Sequence, residues 1–138
     1  MPSSRSPVRK VALADIAPDH RRGGDIRVLL GPRTVGATSG FFGVLTLAPG
    51  EFVSEHYHPF SEEFLYAITG SAEVLLDGAR VVALGAGEGL LVPIGVRHRV
   101  SNPADTTAVL AFHLGPLAER PELGHVDTEP RPGDGAAR

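Results

Sequence analysis

The sequence predicts an all-β protein, a single-domain antiparallel jelly-roll barrel, and three observations predict it. Short runs rich in Val, Ile, Leu, Phe and Tyr recur at regular spacing with Gly, Pro, Asn or Asp between them. Two of these runs are joined by Asp77-Gly78, the dipeptide that favours the type I′ turn of a tight hairpin. No stretch carries the apolar period of an amphipathic helix. At 138 residues the chain can bury one good core and not two.

Taken in order, residues 1–22 read as an N-terminal leader, flexible to Pro7, with a short edge strand over Val8 to Leu13. Gly23-Gly24 punctuate the chain and open the barrel, which runs over 23–115. Ile26 to Leu30 is a compact apolar run suited to a buried strand, and Gly31-Pro32 ends it. Phe41 to Ala48 is apolar on both alternating faces and must be covered on both, by a second sheet or by a partner subunit. Phe64 to Ile68 is equally apolar, so a homodimer is expected. After the Pro49-Gly50 turn, strict alternation along Phe52 to His58 points Phe52, Ser54, His56 and His58 inward, with Val53, Glu55 and Tyr57 outward. In Glu62 to Thr69 the residues Glu63, Leu65 and Ala67 share one face, and Glu62, Phe64, Tyr66 and Ile68 the other. The hairpin Ala72 to Leu76 and Ala79 to Leu84 follows, then strands at Leu90 to Pro93, Arg97 to Ser101 and Thr106 to Leu114. Residues 116–138 are rich in Pro and Gly and read as a strap followed by a disordered tail.

Composition narrows the function classes. The absence of cysteine removes disulfides and thiolate ligands. No apolar run approaches the roughly 18 residues of a membrane span, and the start has no apolar signal region, so a cytoplasmic protein without a membrane or nucleic-acid partner is expected. The net charge of −3 hides an asymmetry: residues 1–33 hold seven Lys or Arg against three Asp, a net of +4, which leaves −7 for the rest. That basic third is either a solvated face or a docking patch for an acidic partner.

Two motifs carry chemistry. Gly50, His56, His58, Glu63 and Gly70 form G-x5-H-x-H-x4-E-x6-G, and Gly87, Pro93, Gly95, His98 and Asn102 form G-x5-P-x-G-x2-H-x3-N. Three imidazoles and a carboxylate are the donors that suit one divalent first-row metal, with zinc expected and iron, nickel or manganese as alternatives. His56 and His58 share a strand face, and His98 is expected to reach them from another strand across the barrel interior. Glu63 is the better-spaced ligand, and Glu62 is a surface charge or a partner of a ligand histidine. Thr107, Val109, Ala111 and His113 share a face of the last strand. If that face is interior, His113 becomes a further ligand, with Glu63 stepping back, or a general base. Phe41, Phe52, Leu65, Val109 and Ala111 are candidates for an apolar cavity wall, and His20 and His125 are read as surface residues.

These paired motifs resemble those of the cupin family, with both spacings intact. The stretch Gly23 to Tyr66, including Thr46-Leu47-Ala48-Pro49-Gly50 and Ser54-Glu55-His56-Tyr57-His58-Pro59, further resembles the single-domain cupin cyclases of bacterial aromatic polyketide pathways. That resemblance implies a homodimeric enzyme that closes a poly-β-ketone into aromatic rings by aldol condensation and dehydration; a bound metal would act as Lewis acid, and proton abstraction falls to a nearby base, His113, Glu63 or Glu62. With that substrate class, the acidic partner expected at the basic N-terminal third is an acyl carrier protein presenting the tethered polyketide. Two rivals share the ligand set: an Fe(II)-dependent cupin dioxygenase and a non-catalytic small-molecule binder.

Overall fold

The computed structural model describes residues 7–135, which form two five-stranded antiparallel sheets closed around one core. The strands are β1 (Asp25–Leu30), β2 (Phe41–Leu47), β3 (Phe52–Tyr57), β4 (Glu62–Thr69), β5 (Ser71–Leu76), β6 (Arg80–Gly85), β7 (Gly89–Val92), β8 (His98–Ser101), β9 (Ala108–Gly115) and β10 (Val126–Asp127). One sheet has the order β1-β2-β9-β4-β7 and the other β10-β3-β8-β5-β6. The jelly-roll expectation therefore holds, and strand limits match the sequence reading to within one or two residues. Asp77 and Gly78 both take positive φ, 52° and 68°, as a type I′ turn requires. No helix among the described residues is long and apolar enough to cross a membrane.

The core lies between the sheets and is built from Leu45, Leu47, Val53, Leu65, Val74, Val100, Leu110 and Phe112, with smaller neighbours. In β9 the inward set is Ala108, Leu110, Phe112 and Leu114, so Val109, Ala111 and His113 face outward. The expectation that His113 enters the interior is corrected. Both faces of this strand are apolar, so alternation could not set the phase; the larger side chains of Leu110, Phe112 and Leu114 took the inside. His113 pairs in register with Phe42 and Phe64, its ring centroid 5.7 Å from that of Phe64. A Cβ on Gly40 would stand 2.5 Å from its Nε2, so the missing side chain there makes room for the imidazole.

Along β3 strict alternation also fails. The pairing with β8 slips between Val53 and His56: Val53 faces Val100 and His56 faces His98, three steps on one strand against two on the other. This bulge turns both Val53 and His56 inward, where simple alternation admits only one of them. Phe52 is left outside, with the Arg99 guanidinium 3.8 Å above its ring.

Two other expectations change at the ends. Val8 to Leu13 is not a strand: residues 7–12 have no regular structure, Val8 is fully exposed, and a 3-10 turn spans Leu13–Asp15. The free edge of β1 is met instead by Asp19, which exchanges two backbone hydrogen bonds with Ile26. The strap runs back along β3, where Val126 and Asp127 pair with Tyr57 and His56. Its ion pair Arg99–Glu129, at 3.0 Å, and the bond from the Glu55 N–H to Glu129 hold it down. Residues 1–6 of the leader and 136–138 of the C-terminal segment lie outside the described residues.

Candidate metal centre

β3 delivers His56 and, one residue past its end, His58; β8 begins with His98; β4 carries Glu63 from the facing sheet. One donor atom from each of these four buried residues lies within 4.8 Å of all the others. The expected route for His98 is corrected in one respect. It is the direct strand neighbour of His56, and Glu63 is the group that crosses the interior. Gly95, at φ 79°, turns the chain ahead of His98 and donates its N–H to the His58 carbonyl at 3.0 Å, which couples the two motifs. Asn102 takes no part in ligation: its side-chain amide donates to the Leu47 and Thr106 carbonyls at 2.9 and 2.8 Å and closes the loop after β8.

The tautomers follow from the partners. The Nδ1–H of His56 donates to the Ser54 carbonyl at 2.7 Å, that of His58 to Gly124 at 2.9 Å and that of His98 to Val96 at 2.9 Å. A carbonyl only accepts, so each Nδ1 carries a proton and each Nε2 faces the cluster, where it can present a lone pair to a cation or, when protonated, donate to the Glu63 carboxylate. The Nε2 atoms of His58 and His98 stand 3.2 and 2.8 Å from Glu63 Oε1. Three Nε2 atoms and a carboxylate converging at such distances, with the Nδ1–H groups pinned elsewhere, are the donor set of a divalent cation, which these residues could hold.

The electrostatics agree. Burial, with the neighbouring His98 and His125, pushes the His56 pKa down to about 2. For Glu63 burial alone would raise the pKa, but hydrogen bonds from His58 and His98 outweigh it and hold the carboxylate below its usual range. For His98 burial would lower the pKa, and the bond and charge of Glu63 reverse the sign. His125 is lowered to about 4, by burial first and then by Arg22.

These shifts predict how the metal-free fold responds to acid. His56 and His125 have folded pKa values below the ordinary 6.5, so the unfolded chain takes up protons that the folded chain refuses as pH falls below about 6.5. Their contribution is present above that pH and is lost progressively below it. Glu63 adds to the loss below its ordinary 4.5, while His98, shifted upward, opposes it. Melting temperature in a chelator is expected to drop by several degrees between pH 7 and pH 5, and a flat profile would contradict the burial of His56 and His125. Metal occupancy is expected to fall below about pH 6, since imidazole binds only when neutral.

The cluster opens into a cavity of about 980 Å³ whose apolar wall includes Phe41, Leu45, Val53, Leu65, Phe112 and Leu114. Phe41 and Leu65 were expected there; Phe52, Val109 and Ala111 were also expected and are not part of it. Glu62 lies on the opposite face of β4 from Glu63, and the structure brings neither it nor His113 to the cluster.

Two cavity residues escaped the sequence reading. His125, taken for a surface residue, is stacked on His56 with centroids 4.3 Å apart, and its Nε2 lies 2.7 Å from Asp127. Only its position next to β10 puts it there, and no local signal announces that the strap returns. Arg22 also lines the cavity; Arg21, at the same cavity, is neutralised by a forked contact to Asp19, and Arg27 is held by Asp25 away from it.

A double-stranded β-barrel with a buried cluster of three histidines and one glutamate on G-x5-H-x-H-x4-E-x6-G and G-x5-P-x-G-x2-H-x3-N defines the cupins, and residues 43–114 match the Cupin domain family, to which the chain belongs. Its relatives include Protein SchB of Streptomyces halstedii, 60% identical over 88% of this chain and 87% of that one. The polyketide synthase CurC of Streptomyces cyaneus is 55% identical over 88% of this chain and 78% of the relative. The tetracenomycin polyketide synthase protein TcmJ of Streptomyces glaucescens is 54% identical over 93% and 85%. Among solved structures, oxalate decarboxylase of Bacillus subtilis, studied for its Mn(II) centres, superposes with a TM-score of 0.71 at 23% identity, covering 84% of this chain and 31% of that one. That likeness concerns the fold.

Proposed function

We propose that this chain is a metal-dependent polyketide cyclase that closes a poly-β-ketone by aldol condensation and dehydration without net redox change. The observation that supports it is the buried cluster of His56, His58, His98 and Glu63 at the wall of a largely apolar cavity sized for a multi-ring product. Two relatives at 54 and 55% identity are named for polyketide synthesis, which supplies the substrate class. A divalent ion, zinc in this reading, supplies Lewis-acid polarisation of a carbonyl oxygen when bound by the four residues. The chain itself does the rest. Phe41, Phe112 and Leu65 hold the folded ketide by contact and exclude water. His125, with Nε2–H donating to Asp127, keeps its Nδ1 lone pair for the proton released from the reacting CH2. The direct test is turnover of a poly-β-ketone by the zinc-loaded protein without oxygen.

The partners belong to the same reading. Arg33 stands exposed at the cavity mouth with no ion-pair partner among the described residues, and it is a cation placed to steer an acidic carrier protein. A homodimer covers the outer face of the β1-β2-β9-β4-β7 sheet. There Leu30, Phe42, His113, Phe64 and Leu91 are successive register partners across all five strands. Phe64, Tyr66, Ile68 and Leu91 are each 45 to 49% exposed in the single chain, more apolar surface than a monomer this small normally presents. Sedimentation at micromolar concentration is expected to report twice the chain mass, and Phe64→Glu with Leu91→Glu is expected to halve it. A monomeric wild-type protein would end the dimer assignment.

A further inference from the structure

Arg22 is a half-buried cation without a counter-ion. Its Nε is shielded from solvent and has no hydrogen-bond partner, and its guanidinium makes no ion pair among the described residues. Arginine stays protonated at any working pH, so the charge remains although burial works against it. The two acids whose charge acts on it are already engaged. Asp19 takes the fork of Arg21 at 2.9 and 3.2 Å, and Asp127 takes His125 at 2.7 Å.

The backbone goes to some length to put the residue there. Gly23, at φ 104°, lies so close to β3 that a Cβ would collide with the Phe52 carbonyl, so only glycine allows this approach. The Arg22 carbonyl accepts from the Ser54 N–H at 3.1 Å, and the strap adds a bond from the Gly133 N–H to the Arg21 carbonyl at 3.1 Å. Ser54 Oγ is the other buried polar atom without a partner among the described residues, so both orphans belong to this one junction. A half-buried charge with no counter-ion and a shielded, unpartnered Nε costs stability, and a loop clamped from two sides limits how far it can turn out to water. The missing partner is one that the ligand brings.

We infer that Arg22 binds an anionic oxygen of the substrate, a carboxylate or the enolate of a 1,3-diketone, and so fixes which end of the molecule faces the metal cluster. This rests on the cyclase reading for the substrate class and not for the site itself. Arg22 is a positioning residue here: one charge-assisted contact beside the apolar wall of the cavity sets the direction in which a flexible chain lies.

The test uses the metal-loaded protein and three probes: 2-naphthoate, its uncharged methyl ester, and dimedone, an enolate at neutral pH. In calorimetric titrations Arg22→Met is expected to weaken one or both anions about tenfold or more and to leave the ester within about twofold. Arg22→Lys is expected to recover part of the loss. Metal content should be unchanged, and the melting temperature unchanged or higher, because the variant removes an uncompensated charge. Loss of naphthoate alone identifies a free acid terminus, and loss of dimedone alone an enolate; either supports the assignment. Anion affinities equal in wild type and Arg22→Met, or acid and ester falling together, would overturn it. Because no turnover is involved, a failed cyclase assay leaves this result standing, and the reverse also holds.

Discussion

Replacing His56, His58 or His98 by alanine is expected to lower bound divalent metal at least tenfold in the purified protein, measured by elemental analysis after dialysis against buffered metal. Loss of a partner that merely orients a ligand commonly costs roughly 10–100-fold in affinity, and loss of a ligand removes both a donor and its place in the coordination shell. Glu63→Gln keeps the volume and removes the charge, so it is expected to weaken binding less. His113→Ala is the internal control. Its ring packs among Phe42, Phe64 and Gly40 on the outer sheet face, and metal content should not move. Full occupancy in any two of the three histidine variants would refute the ligand assignment, as would metal loss in His113→Ala.

The second large effect concerns oxygen. The zinc-loaded protein is expected to turn over a poly-β-ketone at the same rate under strict anaerobiosis as in air, because aldol closure and loss of water leave the oxidation level unchanged. Zinc has no accessible redox chemistry, so activity with zinc alone already separates cyclisation from oxygen activation. A dioxygenase using the same three histidines would need iron or another redox metal and would consume oxygen in step with product. Activity that disappears without oxygen and returns with it would replace the cyclase reading by that one.

How much of this was legible beforehand depended on the kind of signal. Turn chemistry is local, so the hairpin at Asp77-Gly78 and the strand limits could be read directly. Motif spacing is nearly local, and His56, His58, Glu63 and His98 do converge. The orientation of β9 was not legible, because a strand apolar on both faces carries no label for the inside, and His113 was misassigned for that reason. The slip between Val53 and His56 was equally hidden, since a bulge is decided by the partner strand. Arg22 and His125 depend on where distant segments return. In the sequence Gly23 reads as punctuation, and only the approach to Phe52 shows that it aims its neighbour into the cavity.

Gly124 lies ten residues beyond the part of the chain that matches the cupin domain, in a segment that contributes only the two residues of β10 to a sheet. Its carbonyl nevertheless decides which nitrogen of His58 holds the proton. A boundary drawn at the last barrel strand would therefore keep every ligand and lose the grip that points one of them. The first sign of such a truncation would be a weaker and less selective metal site in a barrel that still folds. In this protein the centre is larger than its list of ligands, and an inventory taken from the motifs alone leaves out the residue that holds His58 in place.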